Sequence, residues 1–353
     1  MAREQPSSVN AGNIENFSIS SNQGSGAVDL SPGVTEFRYY ESVLSNTVTA
    51  TAAIVETGFE SSGNGSVSSQ GLLDGLPIRG GERTDISIVD STRDKNKLTF
   101  TDGLYVNRVR DGDPGTSKDV YFLDFSSKEF YGNDRKPFYI CTWLASKSVP
   151  QLAGAGGNSG NSVGGAAGYL FYQTRDSLNF KSIDMLLSTS PVKKYIYTNT
   201  VGTPEGYDGS VLSYSIERDI DLHQNLSLGT YNNRTIFYDP VSFNYVVKDY
   251  NIAEQDGKIS TAGKSSQEAG KLVSREFIQS PSRLMSSVLD IGYNPPGSNQ
   301  SAQLENWSQN MGTTNFDGPR TMVQSVMRYN QLFTIQTNIT IAGDFSIRAG
   351  DMI

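Results

Sequence analysis

The sequence predicts a mainly β protein with α+β insertions, and three observations carry that expectation. Runs of Thr, Ser, Tyr, Val and Ile lie between clusters of Gly, Asn and Asp, the vocabulary of strands and tight turns. Period-two alternation recurs at short spacing through residues 1–125, as in an antiparallel barrel or sandwich. Two stretches, 168–188 and 235–250, carry hairpin signals of their own.

Residues 1–30 are mostly Ser, Asn, Gly and Gln around one apolar alternation from Ile14 to Ile19, which suits a flexible arm with one strand. Strands are then expected at Phe37 to Tyr40 and at Thr47 to Val55. In the second, Val48, Ala50, Ala52 and Ile54 alternate with Thr47, Thr49 and Thr51, giving a small-residue face suited to a tight barrel interior or a close subunit contact. Residues 58–71 form a Gly- and Ser-rich loop, and Leu72 to Ile78 an apolar patch that contains Pro77. Asp85 to Val89, Leu98 with Phe100, Leu104 with Val106, and Tyr121 with Leu123 and Phe125 continue the strands, with a turn at Asp102-Gly103.

Residues 126–205 read as an α+β segment. The apolar run around Cys141 and Trp143 suits a short helix, and residues 153–168 are a low-complexity Gly-rich loop. A loose Gly-x-Gly spacing in that loop has no βαβ unit around it, so no dinucleotide site is assigned. From Gly168 to Ser188 the period changes from two to 3.6. A strand from Tyr169 to Thr174 turns at Arg175-Asp176-Ser177 and returns through Leu178 and Phe180, after which Ile183, Leu186 and Leu187 mark a helical face. This element is expected to be a seam between domains, with Phe180 in its core.

Residues 206–353 are expected to form a second strand-rich region. Tyr195 to Tyr197 and Val211 to Ile220 lead into the hairpin at Thr235 to Tyr250, turning at Asp239-Pro240-Val241-Ser242. Residues 251–316 read as an insertion in which Leu284, Met285, Val288 and Leu289 mark a short helical face. Asp317-Gly318-Pro319 looks like a helix start, with Met322, Val326 and Tyr329 on one face; if that helix packs outside a barrel, Met322 and Val326 should face protein and Arg328 should point outward or toward a neighbouring chain. Phe333, Ile335, Ile339 and Ile341 then stand at strand spacing, before a turn at Gly343-Asp344.

Composition narrows the function. Hydrophobic residues make up 36% of the 353 and charged residues 19%, which is globular and somewhat polar. A net charge of -8 and a pI near 4.9 argue against gripping a phosphate backbone, which takes clustered Lys and Arg. An acidic wall can still guide DNA by repelling it. The single cysteine, Cys141, excludes an internal disulfide framework and is expected to be a buried small hydrophobe. The N-terminus has no apolar signal region and no run approaches 18 apolar residues, so folding in a reducing cytoplasm is expected and an outer-membrane barrel is disfavoured.

Motifs for chemistry are sparse. The only histidine, His223, has no Gly-x-Ser-x-Gly elbow beside it and is expected at a surface or helix end. Asp111, Asp113 and Asp119 place carboxylates that could converge on a hard cation. The spacing lacks the terminal Glu of an EF-hand, and Pro114 and Gly115 already account for a turn, so cation binding there is left open. No catalytic, cofactor or metal residue is assigned, and the expectation is a protein without enzymatic activity.

The run Gly168-Tyr169-Leu170-Phe171-Tyr172-Gln173-Thr174 with Phe180-Lys181-Ser182-Ile183-Asp184 resembles the middle segment of baseplate hub proteins of contractile-tailed bacteriophages, of the cyanophage and marine type. Leu73 to Glu82, Ile278 to Met285, and Arg328 to Phe333 leading into Ile339 to Asp344 and Ala349 to Ile353 are similar to other hub segments, in the same order. The resemblance implies two tail-tube-like antiparallel β-barrels in one chain. It implies a homotrimer closing a pseudo-sixfold ring between the tail tube, or its initiator, and the central spike. The lumen would pass the tape measure protein and DNA without specific binding. It also implies a virion protein of the tail baseplate, assembled in the host cytoplasm. The chain stops after Gly350-Asp351-Met352-Ile353, where such hubs usually continue for a few strands. The alternative left open is a β-rich tail adhesin or glycan-binding protein.

Overall fold

The computed structural model describes residues 12–20, 22, 27–55, 78, 80–90, 96–100, 103–111, 120–126, 137–146, 148, 168–198, 203–218, 221–239, 243–251, 280–288, 327–329 and 335–353. The chain is mainly β. In its first part, β1 (Asn13–Ser20), β2 (Ala27–Asp29), β3 (Val34–Tyr40), β4 (Thr49–Val55), β5 (Arg83–Val89), β6 (Lys97–Thr99), β7 (Leu104–Asp111) and β8 (Val120–Ser126) form one antiparallel sheet. The strand order is β2-β1-β5-β7-β8-β4-β3, and β6 pairs with β5 off that path.

The alternation read from the sequence decides which face is dry. Phe17 and Ile19 on β1, Ala50, Ala52 and Ile54 on β4, and Ile86 and Ile88 on β5 are all buried in one cluster, to which Leu98, Leu104 and Val106 also belong. The small residues of β4 therefore serve the interior of this sheet. A three-residue 3-10 turn, Ser31–Gly33, carries the chain directly from β2 at one end of the strand order to β3 at the other. Around it, Leu30 N–H donates to the Phe17 carbonyl at 2.7 Å, Phe17 N–H donates to Ser31 Oγ at 2.8 Å, and the Phe17 and Phe37 rings meet edge to face at 5.9 Å. The sheet is thus rolled until its ends approach, yet no β2–β3 ladder closes it among the described residues. Register shifts at Ile14/Asn16 and Val34/Glu36 lie on strands near those ends, and Val106/Arg108 adds a third; such bulges sharpen bend and twist. The turn before β7 needs glycine. Gly103 has φ +71, and a Cβ there would lie 2.9 Å from Arg83 Nε and 3.1 Å from the Thr84 carbonyl.

Helix α1 (Pro137–Ala145) forms where the sequence suggested one. The stretch 168–188 forms the hairpin β9 (Tyr169–Gln173) and β10 (Leu178–Ser182), then helix α2 (Ile183–Ser188). Ser182 starts that helix by accepting the Met185 N–H at 3.1 Å. The expected core residue is corrected, however: Phe180 is 43% exposed and stacks on Tyr169, while Leu170, Tyr172 and Ile183 are buried. In a hairpin with one wet face, Tyr172 and Phe180 lie on opposite sides of the pleat.

Among the described residues the second half contains two three-stranded sheets. In one, β11 (Tyr195–Ile196) runs parallel to β12 (Gly209–Arg218), which pairs antiparallel with β16 (Ile335–Ile341). In the other, β13 (Asn232–Asp239) pairs antiparallel with β14 (Asn244–Asn251) and parallel with β15 (Arg283–Val288). Helix α3 (Leu222–Ser227) joins β12 to β13. The helical face expected at 284–289 is instead a strand, because β15 finds a ladder partner in β13 whose side-chain pattern matches it; a spacing of one, three and four over six residues is ambiguous between the two periods. No closed barrel is present among the described residues. The Gly-rich loop 153–167, Pro319, Met322 and Val326 lie outside the described residues.

Burial separates two substitutions that the sequence alone would rank alike. Phe17→Ala should destabilise by roughly 3–5 kcal/mol, whereas Phe180→Ala, removing a half-exposed ring, should lose about 1 kcal/mol. Urea unfolding of both variants, followed by intrinsic fluorescence, measures the difference.

Candidate functional site

The functional geometry begins at a junction built by the C-terminal segment. The carboxylate of Glu41, just past β3, accepts hydrogen bonds from three parts of the chain. Its Oε1 takes the Tyr39 hydroxyl and the Arg175 N–H (2.7 Å) in the β9–β10 turn, and its Oε2 takes the Ala349 N–H at 2.9 Å. Burial, and then its hydrogen bond to Glu41, push the Tyr39 hydroxyl far above its ordinary value, so it stays a donor. Further along the same segment, Phe345 N–H donates to Asp90 Oδ2 at 2.9 Å, and Arg348 pairs with Asp176 of the hairpin turn. The Met352 carbonyl accepts the Val192 N–H at 2.8 Å.

Steric fit completes the junction. Gly350 has φ +90, and a Cβ there would stand 2.4 Å from the Tyr172 hydroxyl oxygen. Backbone contact with that buried ring is possible only for glycine. Asp344 ties the same segment to β11: its Oδ2 accepts the Tyr195 hydroxyl at 2.9 Å, and its Oδ1 accepts the Ser346 N–H at 2.8 Å. Burial alone would raise the Asp344 carboxyl, but the Ser346 and Tyr195 hydrogen bonds and nearby Lys193 outweigh it and hold the group below the ordinary carboxylate value.

A second anchor lies beneath α2. Arg328 Nη2 donates to Asp184 Oδ1 at 2.7 Å, with both side chains nearly inaccessible at 6% and 3%. This overturns the expectation that Arg328 points outward. The Tyr329 hydroxyl donates to the Tyr169 carbonyl in the same place, so residues 327–329 are held under the hairpin on both sides. Burial lowers the Arg328 guanidinium, and Asp184 restores it only in part.

Candidate chemical residues are scattered. His223 is exposed on the first turn of α3, and neighbouring Asp221 is committed to capping that helix through the Gln224 N–H at 3.0 Å. Cys141 is half-buried rather than buried, because α1 leaves Tyr139, Ile140, Trp143 and Leu144 exposed and only Ala145 fully enclosed. Asp111 ends β7, while Asp113 and Asp119 lie outside the described residues. Among the described residues no group of three or more His, Cys, Asp or Glu side chains could hold a metal ion, and no helix is long and apolar enough to cross a membrane.

The groups that sequence reasoning missed are Glu41, Asp90, Asp184, Asp344 and Arg348. Each is an ordinary polar residue in a turn or at an element end, and its partner lies up to 308 positions away. Reasoning from the sequence also missed the apolar sheet faces of the second half, which remain in solvent: Leu212, Tyr214 and Ile216 on β12, and Leu284 and Val288 on β15. Compared with known proteins, the chain matches no family model and no curated protein.

Two measurements probe the anchors. Arg328→Ala or Asp184→Ala alone should cost about 3–5 kcal/mol by stranding a buried charge, and an Asp184→Leu/Arg328→Met pair should recover most of it; equilibrium unfolding of the three variants decides. Asp344 binds its proton less tightly folded than unfolded. Its contribution is therefore complete above the ordinary aspartate value near 4, and is lost as pH falls through the lower folded value. Hydrogen exchange of residues 343–352 should accelerate below about pH 4 in the native protein. Asp344→Asn should flatten that dependence.

Proposed function

We propose that this chain is a structural baseplate hub subunit of a contractile-tailed phage, without enzymatic activity. On this reading three copies form a pseudo-sixfold ring that joins the tail tube, or its initiator, to the central spike. Each chain supplies two tube-like barrels, one from residues 1–125 and one from 206–353, with the segment 126–205 between them. The tape measure protein and DNA pass through the lumen, and the protein resides in the virion after assembly in the host cytoplasm. The observation that carries the reading is the position of the 168–188 element. Its segments resemble those of hub proteins, and it stands between a rolled antiparallel sheet and a second strand-rich half, fastened to both. The net charge of -8 suits a lumen that repels DNA and leaves it mobile.

One surface favours the alternative, a glycan-binding tail adhesin. Tyr238, Phe243 and Tyr245 cluster at the β13–β14 turn with 41%, 79% and 64% of their surface exposed, and aromatic platforms of this kind bind sugar rings.

The hub reading expects purified protein to be trimeric, alone or with its spike partner, around a pore wide enough for a DNA duplex, as seen by mass photometry and cryo-electron microscopy class averages. A stable monomer that ignores tube and spike proteins, or a compact assembly without a pore, overturns it in favour of the adhesin. His223→Ala and Cys141→Ser should leave particle infectivity close to wild type, since neither side chain has a chemical role in a hub. Normal assembly with abolished infection in either variant would point to chemistry instead.

A further inference from the structure

Past Ser346 the chain lies on the body without joining a sheet. Within Ile347 to Ile353 the local bonds are self-contained: the Arg348 N–H donates to Asp351 Oδ2 at 2.8 Å, the Asp351 N–H donates to the Arg348 carbonyl at 3.1 Å, and Arg348 Nη1 reaches the neighbouring carbonyl of Ile347 at 3.0 Å. The segment thus keeps its shape without help from the body. Its ties to the body are of another kind. The Ala349 N–H donates to Glu41 Oε2 at 2.9 Å and Arg348 Nε pairs with Asp176, both side-chain acceptors. Among the described residues one main-chain bond alone joins the segment to the body, from the Val192 N–H to the Met352 carbonyl at 2.8 Å. None of these residues is fully buried. A surface segment fastened by a few acceptors and no ladder belongs to the low-stability end of a fold.

The residues just before it are rooted more firmly. Phe345 packs against the first core and its N–H donates to Asp90 Oδ2 at 2.9 Å, while Asp344 joins the Ser346 N–H to the Tyr195 hydroxyl of β11. Beneath the segment lies a polar atom with nothing to bond. Tyr172 has no exposed surface, and among the described residues its hydroxyl has no hydrogen-bond partner. Gly350 closes over that hydroxyl, near enough that a Cβ at position 350 would collide with it and would also stand 3.3 Å from Leu186 Cδ2. Burial, and then the charges of Asp351 and Glu41, push the Tyr172 hydroxyl up, so it keeps its proton with no acceptor to receive it. A buried hydroxyl left unpaired destabilises the arrangement that buries it, and water would satisfy it once the cover lifts.

We propose that Ile347 to Ile353 is a strap that opens and closes as a unit on the folded body, hinged on Asp344 to Ser346, and that the unpaired Tyr172 hydroxyl beneath Gly350 works against the closed state. Opening breaks the contacts with Glu41, Asp176 and Val192 together, because the segment carries its own internal bonds. It uncovers Tyr172 and Leu186 and leaves the first sheet, the β9–β10 hairpin and the Phe345 root in place. The device lies within one chain and operates with or without the ring of the hub reading.

Native-state hydrogen exchange of the full chain at neutral pH and low urea tests the device. The Ala349 N–H on the strap and the Val192 N–H on the body should share one opening equilibrium, about tenfold or more above that of the Phe345 N–H and of the paired amides of β4 and β5. Tyr172→Phe removes only the unpaired oxygen and should make this opening about fivefold rarer or more. Gly350→Ala, which puts a side chain at φ +90 and against Tyr172, should make it about tenfold more frequent while β4 and β5 exchange as before. Different openings for Ala349 and Val192, or a shared opening equal to that of β4 and β5, would overturn the strap. An opening that Tyr172→Phe leaves unchanged or makes more frequent would overturn the part given to the hydroxyl. Because Tyr172→Phe adds no bulk, its result decides even where Gly350→Ala fails to fold.

Discussion

The carboxylate of Glu41 is the point on which the described fold converges. It receives donors from the end of β3, from the β9–β10 turn and from the C-terminal segment, so one side chain fixes the relative position of the first sheet, the hairpin and the last residues of the chain. A carboxylate suits this task because its two oxygens offer about four acceptor sites in one plane. The contact with Ala349 spans 308 residues of sequence, so closing it costs loop entropy that the packing of both halves must offset. Gly350 on Tyr172, Phe345 against the first core and Arg348 on Asp176 all follow from that placement.

Beneath the same hairpin, the Arg328–Asp184 pair joins α2 to residues 327–329 by a buried ion pair. Two buried charges gain little over a well-packed apolar pair, but removing either one strands the other without its partner. The hairpin is therefore held from above by the C-terminal segment and from below by the segment that precedes β16. Its wet side carries the stacked Tyr169 and Phe180 rings.

The halves of the chain differ in how they meet water. The first sheet rolls over a core in which Phe17, Ile19, Ala52 and Ile54 have no exposed surface, with Phe345 of the C-terminal segment packed against it. Among the described residues the second half divides its strands between two small sheets, and each carries exposed apolar side chains.

The sequence by itself determined the strands with strict alternation. Ile14 to Ile19, Val48 to Ile54, Ile86 with Ile88 and the 235–250 hairpin all stand where period two placed them, as do the hairpin and helix of 168–188, because local pattern and buried face agree there. It did not determine the side of the pleat that holds Tyr172 rather than Phe180, since two aromatic-rich faces look alike until a neighbour covers one of them. The strand at 283–288 was illegible for a related reason: its state depends on a parallel ladder to β13, fifty residues earlier in the chain. Only the tertiary structure could reveal the partners of Glu41, Asp184, Asp344 and Arg348. A polar residue at an element end carries no periodicity, and the donor it meets is chosen by how distant segments pack.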